Sequence, residues 1–314
     1  MAERLARRPL TEELTDNLKD LGAAKRTRAR VLEAMNDHDT RRRFYARLVT
    51  ATAGVADPGI IEAFASVRRE QFVGPGPWQI PVEGGYITSD TDDPAILYQD
   101  INIGLAPERG INNGQPSLHA KCLGASAPKT GDVVVHVGAG TGYYTAILAH
   151  LVGAAGRVHA YEMDPTLARR AEKNLGGWAT VTVYAASALD VTLPPADVIY
   201  VSAGATHVQT TWLDALSNGG RLVVPLTTNE GPGFMLLVTR QSDATYAARS
   251  LSRAFFVHCV GARDDHESRV LAAAIQAGSP NDIRSLRRGG VPDDTAWCVG
   301  TDWWFSTRPT SPEE

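Results

Sequence analysis

The segment Val133-Val-Val-His-Val-Gly-Ala-Gly-Thr-Gly-Tyr-Tyr-Thr-Ala146 passes from an apolar run through a glycine-rich turn into a second, alanine-rich apolar run. This is the pattern of a buried strand, a tight turn and a helix. Its glycines, Gly138, Gly140 and Gly142, spell Gly-x-Gly-x-Gly. A dinucleotide turn requires Gly-x-Gly-x-x-Gly, because its last glycine lets the helix pack closely on the strand. Tyr143 stands where that glycine belongs. The unit also lies in mid-chain, whereas dinucleotide domains usually open with it.

The spacing suits S-adenosylmethionine better. That ligand has no phosphate to cradle and needs side-chain-free backbone beside its amino-acid moiety and ribose. Glu162 adds weight, since it ends the next strand-like run, Val158-His-Ala-Tyr-Glu162. A carboxylate there accepts from both ribose hydroxyls, as the acidic residue of dinucleotide folds does. The expected cofactor-binding residues are therefore His136, Val137, Gly138, Ala139, Gly140, Thr141, Gly142, Tyr143, Glu162 and Met163, with Ser187 a weaker candidate. For His136, inside the strand, a hydrogen-bonded core position is the better reading. The competing reading of the whole unit is a tight strand–helix turn followed by a surface glutamate.

Outward from this turn the pattern is regular. The runs VVVHVG, RVHAYEM, VTVYAA, DVIYVSAG and RLVVPLT alternate with YTAILAHLVG, PTLARRAEKNLGG and TTWLDALSNGG. Such alternation predicts βαβ units, hence an α/β fold with a mostly parallel twisted sheet and helices on both faces. GFMLLVTRQ and SRAFFVHCVGARD read as two further strands, antiparallel at one edge, which makes seven.

On the N-terminal side, residues 1–56 read as a helical extension with Leu10, Leu14, Leu18 and Leu21 in helical spacing. The basic runs 25–30 and 41–43 are interleaved with acids and read as solvated helix faces rather than as a dock for an acidic partner. Asp57-Pro58 marks the start of the helix PGIIEAFASVRREQFV, and of a catalytic domain over 57–264. Residues 74–110 carry loop chemistry with at most one short hairpin, and GQPSLHAKCLGAS is a helix. The C-terminal extension, 265–314, reads as a helix, a loop and an aromatic segment. There Trp297, Trp303, Trp304 and Phe305 form either a peptide-binding wall or, more commonly, an edge-strand core.

Composition sets the class. The net charge of −4 with 21% charged residues excludes the basic excess of a nucleic-acid binder. Cys122, Cys259 and Cys298 are too far apart for metal-ligand spacing, so no metal is expected, and a reduced, cytoplasmic compartment is the simplest reading. No apolar run suggests a signal peptide or a membrane span.

With its flanks included, the chain resembles the protein-L-isoaspartate O-methyltransferase family from about Ile60 to Asp264. The resemblance rests on IIEAFASVRREQFV, LYQDINIGLAPERG, HVGAGTGYYTAILAHLVGAAGRVHAYEMD, ADVIYVSAGA and LSNGGRLVVPL, in that order. It implies a Rossmann-like class I methyltransferase fold and transfer of methyl from S-adenosylmethionine to a peptide or protein carboxylate, isoaspartyl or a selected aspartyl. The resulting ester is able to cyclise to a succinimide (aspartimide). A carboxylate with an ordinary pKa of about 4 is already a nucleophile at neutral pH, so no general base is needed.

The chain departs from the family at its Ile-Ser-(Gln/Ala)-Pro motif, whose serine hydroxyl is placed to bond the substrate or cofactor carboxylate. Here Ile111-Asn-Asn-Gly-Gln-Pro116 sets Gly114 at the serine. Asn112, Asn113, Gly114 and Gln115 become the catalytic candidates, an asparagine amide or the Gly114 N–H replacing the hydroxyl. The rival reading is a plain Asn-Gly turn. The acidic Gly-Asp-Gly after the third strand is also missing, replaced by Tyr184-Ala-Ala-Ser-Ala. Asp100, His119 and Ser202 are candidate substrate contacts, weighed against loop capping for Asp100 and core packing for His119. Relatives with extra terminal segments methylate a chosen aspartate of a ribosomally made peptide, so both repair and dedicated modification stay open. Two further readings do as well: a small-metabolite methyltransferase using His119 as base, and a cofactor-binding regulatory protein without transfer activity.

Overall fold

The computed structural model describes residues 38–229, 231–242 and 245–310. The leucines at 10, 14, 18 and 21 and the basic run 25–30 lie outside the described residues. Helix α1 (38–53) buries Tyr45, Ala46 and Val49. The basic run 41–43 is not wholly solvated: Arg42 is buried, donating to the carbonyl of Ala65 and to Asp39.

Asp57 caps α2 (Pro58–Ser66), its Oδ1 accepting from the N–H groups of Gly59 and Ile60 at 2.7 and 3.1 Å. The long helix expected here stops at Ser66. An extended Val67 intervenes before the single turn α3 (Glu70–Val73). The break carries Arg69 completely inside the protein.

Residues 74–115 make two hairpins where at most one was expected. These are β1 (Gln79–Val82) with β2 (Gly85–Thr88), and β3 (Gly104–Ala106) with β4 (Ile111–Asn112). Val73, Trp78, Leu97 and Ile103 form a small core beneath them. Helix α4 (Pro116–Ser126) follows.

The predicted alternation then appears: β5 (Val133–Val137), α5 (Tyr143–Val152), β6 (Arg157–Tyr161), α6 (Pro165–Leu175), β7 (Val181–Tyr184), β8 (Ala196–Val201), α7 (Thr210–Ala215) and β9 (Leu216–Leu226). These five strands lie parallel in the order β7-β6-β5-β8-β9. Helix α7 is shorter than TTWLDALSNGG suggested, since Leu216–Gly220 already belong to β9.

The antiparallel half differs more. β10 (Gly233–Ser242) pairs with β9 and with β11 (Thr245–Ala254). The second edge strand thus comes from residues before the apolar run Phe255-Phe256-Val257, which crosses the sheet edge as loop. The actual strand is rich in Ala, Ser and Arg, so its inward alternation is weak in hydrophobicity. After α8 (Asp265–Ala277), the segments β12 (Ser285–Arg288), β13 (Ala296–Val299) and β14 (Trp303–Ser306) continue the sheet. Among the described residues it has ten strands rather than seven, ordered β7-β6-β5-β8-β9-β10-β11-β12-β14-β13. Two cores cover its faces. One gathers α1, α2, α4 and α5, the other α7, α8 and the aromatic strands.

One buried carboxylate ties the last strands to α8. Glu267 Oε1 accepts from Thr301 N and Oγ1 at 3.1 and 2.7 Å, and Oε2 accepts from Trp303 Nε1 at 3.1 Å. Truncation strands the buried Trp303 Nε1 and removes two acceptor bonds from the more exposed Thr301. Glu267→Ala is expected to cost about 2–4 kcal/mol. Hydrogen exchange should show faster opening of β13 and β14 than of β5 and β8; uniform opening of all four contradicts this anchoring role.

Candidate active site

The glycine turn lies at the carboxyl ends of β5, β6 and β8, the edge where open α/β sheets bind ligands. Gly138 and Ala139 donate their N–H groups to the Tyr161 carbonyl at 2.9 and 3.1 Å, locking the turn onto β6. Gly142 has φ +97°, and a Cβ there would lie 2.7 Å from Leu175 Cδ1. It lines neither cleft described below and serves the packing of α6 rather than a ligand.

Glu162 is buried beside the turn. Its Oε2 accepts from Gly140 N at 2.7 Å and its Oε1 from Asp164 N at 2.9 Å. Burial raises its pKa while these two N–H bonds pull the other way. Asp164 also caps α6 and pairs with Arg109, which bridges from the β3–β4 hairpin.

Two clefts meet here. The smaller, 500 Å³, is lined by Val137, Gly138, Gly140, Glu162, Met163 and Ser187, and is closed on one side by Val257–Val260. Ser187 Oγ also accepts from Leu189 N at 3.1 Å, shaping the loop after β7. The larger, 810 Å³, is lined by Ala139, Thr141, Tyr143, the segment Asn112–Gln115 and Arg253–His258. Asn112, Gly138, Gly140 and Ser202 border both.

The segment around Gly114 is held from beneath by Arg69. Its Nη1 donates to the carbonyls of Leu97 and Gln99 at 2.8 and 3.2 Å. Its Nη2 donates to the carbonyl of Ile101 at 2.5 Å and to Asn113 Oδ1 at 3.1 Å. Asn113 Oδ1 also accepts from Ile103 N at 2.9 Å. Its Nδ2 is buried without a partner among the described residues, at the wall of the larger cleft.

Both readings of Asn112–Gln115 meet in this geometry. Asn112 Oδ1 accepts from Gly114 N at 2.9 Å, an Asx turn, so the Gly114 N–H is engaged and is not a free donor. Of the side-chain amides, Gln115 Nε2 donates to Asp100, while Asn112 and Asn113 line the larger cleft. Gly114 itself answers to His119. At φ +74°, a Cβ on Gly114 would lie 2.3 Å from His119 Nε2.

His119 is buried, stacked on Tyr144 with centroids 3.5 Å apart, and its Nδ1 bonds Tyr200 Oη at 2.9 Å. Tyr144 Oη in turn donates to the Gly114 carbonyl at 3.1 Å. Burial pushes the His119 imidazole well below its usual pKa. It lines neither cleft, which corrects its place among substrate contacts and removes the base that a small-metabolite reading requires.

Asp100 is likewise behind the site, accepting from Ser117 N at 2.8 Å and Gln115 Nε2 at 3.1 Å, where it caps α4. His136 is 1% exposed and lines neither cleft; it is a core residue bonded to Thr145 and Ser202 rather than a cofactor contact. The aromatic group Trp303, Trp304 and Phe305 is buried in the second core and its edge, far along the sheet from the clefts. Sequence reading missed Arg69, Arg109 and the Arg253–His258 wall. Arg69 and Arg109 do lie in segments that carry the family resemblance, and the wall left its own signal, an apolar run without strand alternation.

Gly114→Ser is expected to cost about 1–3 kcal/mol through the left-handed φ and the collision with His119. In a His119→Ala background the same serine should cost less. Thermal unfolding reads both, and an equal cost in the two backgrounds overturns the steric assignment.

The family model for "Protein-L-isoaspartate(D-aspartate) O-methyltransferase (PCMT)" matches residues 47–264. The chain is 33% identical over 225 residues to "Protein-L-isoaspartate O-methyltransferase 2" of Marinobacter nauticus, covering 70% of this chain and 93% of that one. It is 30% identical over 203 residues to the "Protein-L-isoaspartate O-methyltransferase" of Ignicoccus hospitalis, covering 63% and 87%. A solved protein-L-isoaspartate O-methyltransferase superposes with a TM-score of 0.60 at 23% identity, over 74% of this chain and 69% of that one. A putative one from Plasmodium falciparum, solved with S-adenosyl-L-homocysteine, gives 0.57 at 17% identity, over 69% and 97%. These two share the class I methyltransferase fold. The matched span contains the glycine turn, Glu162 and the whole wall of both clefts, and the chain belongs to the protein-L-isoaspartate O-methyltransferase family.

Proposed function

We propose that the chain transfers methyl from S-adenosylmethionine to a carboxylate of an isoaspartyl or aspartyl residue in a peptide or protein. The observation that carries this reading is the junction of a cofactor-sized cleft ending on Glu162 with a larger cleft lined by amide donors. Glu162 keeps acceptor capacity for a ribose diol beyond its two backbone bonds. Gly138 and Gly140 leave backbone bare beside it, Met163 and Ser187 flank the adenine side, and Asn112 faces both halves. When bound, the cofactor supplies an electrophilic methyl on a sulfonium.

The chain's own residues then have to position and desolvate a nucleophile that is already ionised, a task that requires no general base. The side-chain amides of Asn112 and Asn113 replace the family's serine hydroxyl as donors to the substrate carboxylate. A second reading, methylation of one chosen aspartate followed by cyclisation, is favoured by the wall above the larger cleft. There Phe255 is 80% exposed beside an exposed Arg253, a surface suited to neighbours of the target residue. On the same reading, residues 1–56 and 265–314 flank the catalytic domain 57–264 and supply selectivity. The described residues contain no helix long and apolar enough to cross a membrane.

Methyl-labelled S-adenosylmethionine with matched isoaspartyl and aspartyl peptides tests the reading. Base-labile label on the isoaspartyl peptide is expected, and label on the aspartyl peptide alone selects the second reading. No label on either, with S-adenosylhomocysteine still bound, overturns both as general activities. Glu162→Gln turns an amide N–H against Gly140 N or Asp164 N. Calorimetry should show S-adenosylhomocysteine bound at least about tenfold more weakly; unchanged affinity removes Glu162 from the cofactor site.

A further inference from the structure

Ser202 stands at the end of β8, where the two clefts join, and lines both. Its Oγ lies 3.0 Å from His136 Nε2. The other ring nitrogen, Nδ1, lies 2.8 Å from Thr145 Oγ1 on α5. Thr145 is fully buried, and among the described residues its hydroxyl bonds His136 alone.

A helical threonine ordinarily donates to the carbonyls three and four residues back. Here those belong to Gly142 and Thr141. They accept from Ala146 N at 2.9 Å and from Asn174 Nδ2 at 2.9 Å. A carbonyl oxygen can accept two bonds, but among the described residues Thr145 Oγ1 donates to neither, which leaves His136 Nδ1 as the acceptor for its proton. Burial keeps this imidazole neutral, pushing its pKa down to about 3, so its single proton sits on Nε2. That N–H donates to Ser202 Oγ. With its acceptor face occupied from behind, the serine directs its own hydrogen into the junction of the clefts.

We propose that Thr145, His136 and Ser202 form a one-way hydrogen-bond relay that makes Ser202 an obligate donor to the substrate carboxylate, in place of the serine absent at position 114. This rests on the carboxylate-methylation reading above. His136 and Thr145 are positioning residues, and Ser202 is the group that touches substrate. The arrangement suits its chemistry, because an ionised carboxylate repels a hydroxyl lone pair and is oriented by a hydroxyl hydrogen. It also explains a buried histidine on a strand that otherwise carries only valines, Val133, Val134, Val135 and Val137.

Two readouts test it on the full chain loaded with S-adenosylhomocysteine. Long-range proton–nitrogen correlation on histidine-labelled protein, with His136 assigned by its loss in His136→Gln, should show the Nε2–H tautomer. The Nδ1–H tautomer overturns the relay. Calorimetry with the isoaspartyl and aspartyl peptides should show Ser202→Ala weakening the preferred peptide about ten- to hundredfold. Thr145→Val should weaken it less, with S-adenosylhomocysteine affinity unchanged within about twofold. The double variant should be no weaker than Ser202→Ala alone. Additive losses, or peptide affinity untouched by Ser202→Ala, overturn the proposal. If wild type binds neither peptide, the carboxylate reading itself fails, and the tautomer alone then decides whether the relay exists.

Discussion

The substrate side of this protein depends on one buried cation. Among the described residues Arg69 forms no ion pair and is instead solvated by carbonyl oxygens of Leu97, Gln99 and Ile101 and by the amide oxygen of Asn113. Burying a guanidinium without a counter-ion is expensive unless its donors are met, and here four acceptors meet the two terminal nitrogens, while Nε has no partner among the described residues. The planar fork fixes those acceptors relative to one another. A loop of 3-10 turns and short hairpins, with only a small core of its own, is thereby given a single shape. The segment Asn112–Gln115 inherits that shape, and the larger cleft inherits its wall.

The cofactor side is built by a different logic. Backbone bonds from Gly138 and Ala139 to Tyr161, and from Gly140 and Asp164 to Glu162, lock the turn to the second parallel strand without help from loops. This half is set by the sheet itself, and its glycine turn and Glu162 keep the family pattern, although the loop after β7 lacks the acidic Gly-Asp-Gly. At Gly114 the departure has a steric cause. His119, stacked on Tyr144 and bonded to Tyr200, occupies the volume that a side chain at 114 would need. Asn112, Asn113 and Ser202 remain as the side-chain hydrogen-bonding groups around that position in the cleft walls.

The C-terminal residues also change what the sheet is. Expected as an appendage, they continue it by three strands beyond β11, with α8 and Glu267 clasping the last hairpin. This covers an edge that β11 would otherwise leave open, and open edges invite pairing with other chains. The aromatic residues that looked suited to a peptide wall are spent on this coverage. The wall over the cleft comes instead from Phe255 and its neighbours, just after β11.

Local periodicity by itself determined the parallel half of the fold, the glycine turn, the carboxylate after β6 and the helix beginning at Pro116. These are legible because each rests on spacing between near neighbours: period two or 3.6, a fixed turn, a Pro at a helix start. Only the tertiary structure decided that the strand after β10 is Thr245–Ala254, that the sheet has ten strands among the described residues, and that Arg69, between α2 and α3, is buried. It alone showed His119 filling the space of position 114 and His136 standing behind Ser202. Those relations join residues 5 to 66 positions apart, through packing and hydrogen bonds that no local pattern encodes. A histidine in a valine strand reads the same in sequence whether it lines a cleft or stands behind the residue that does.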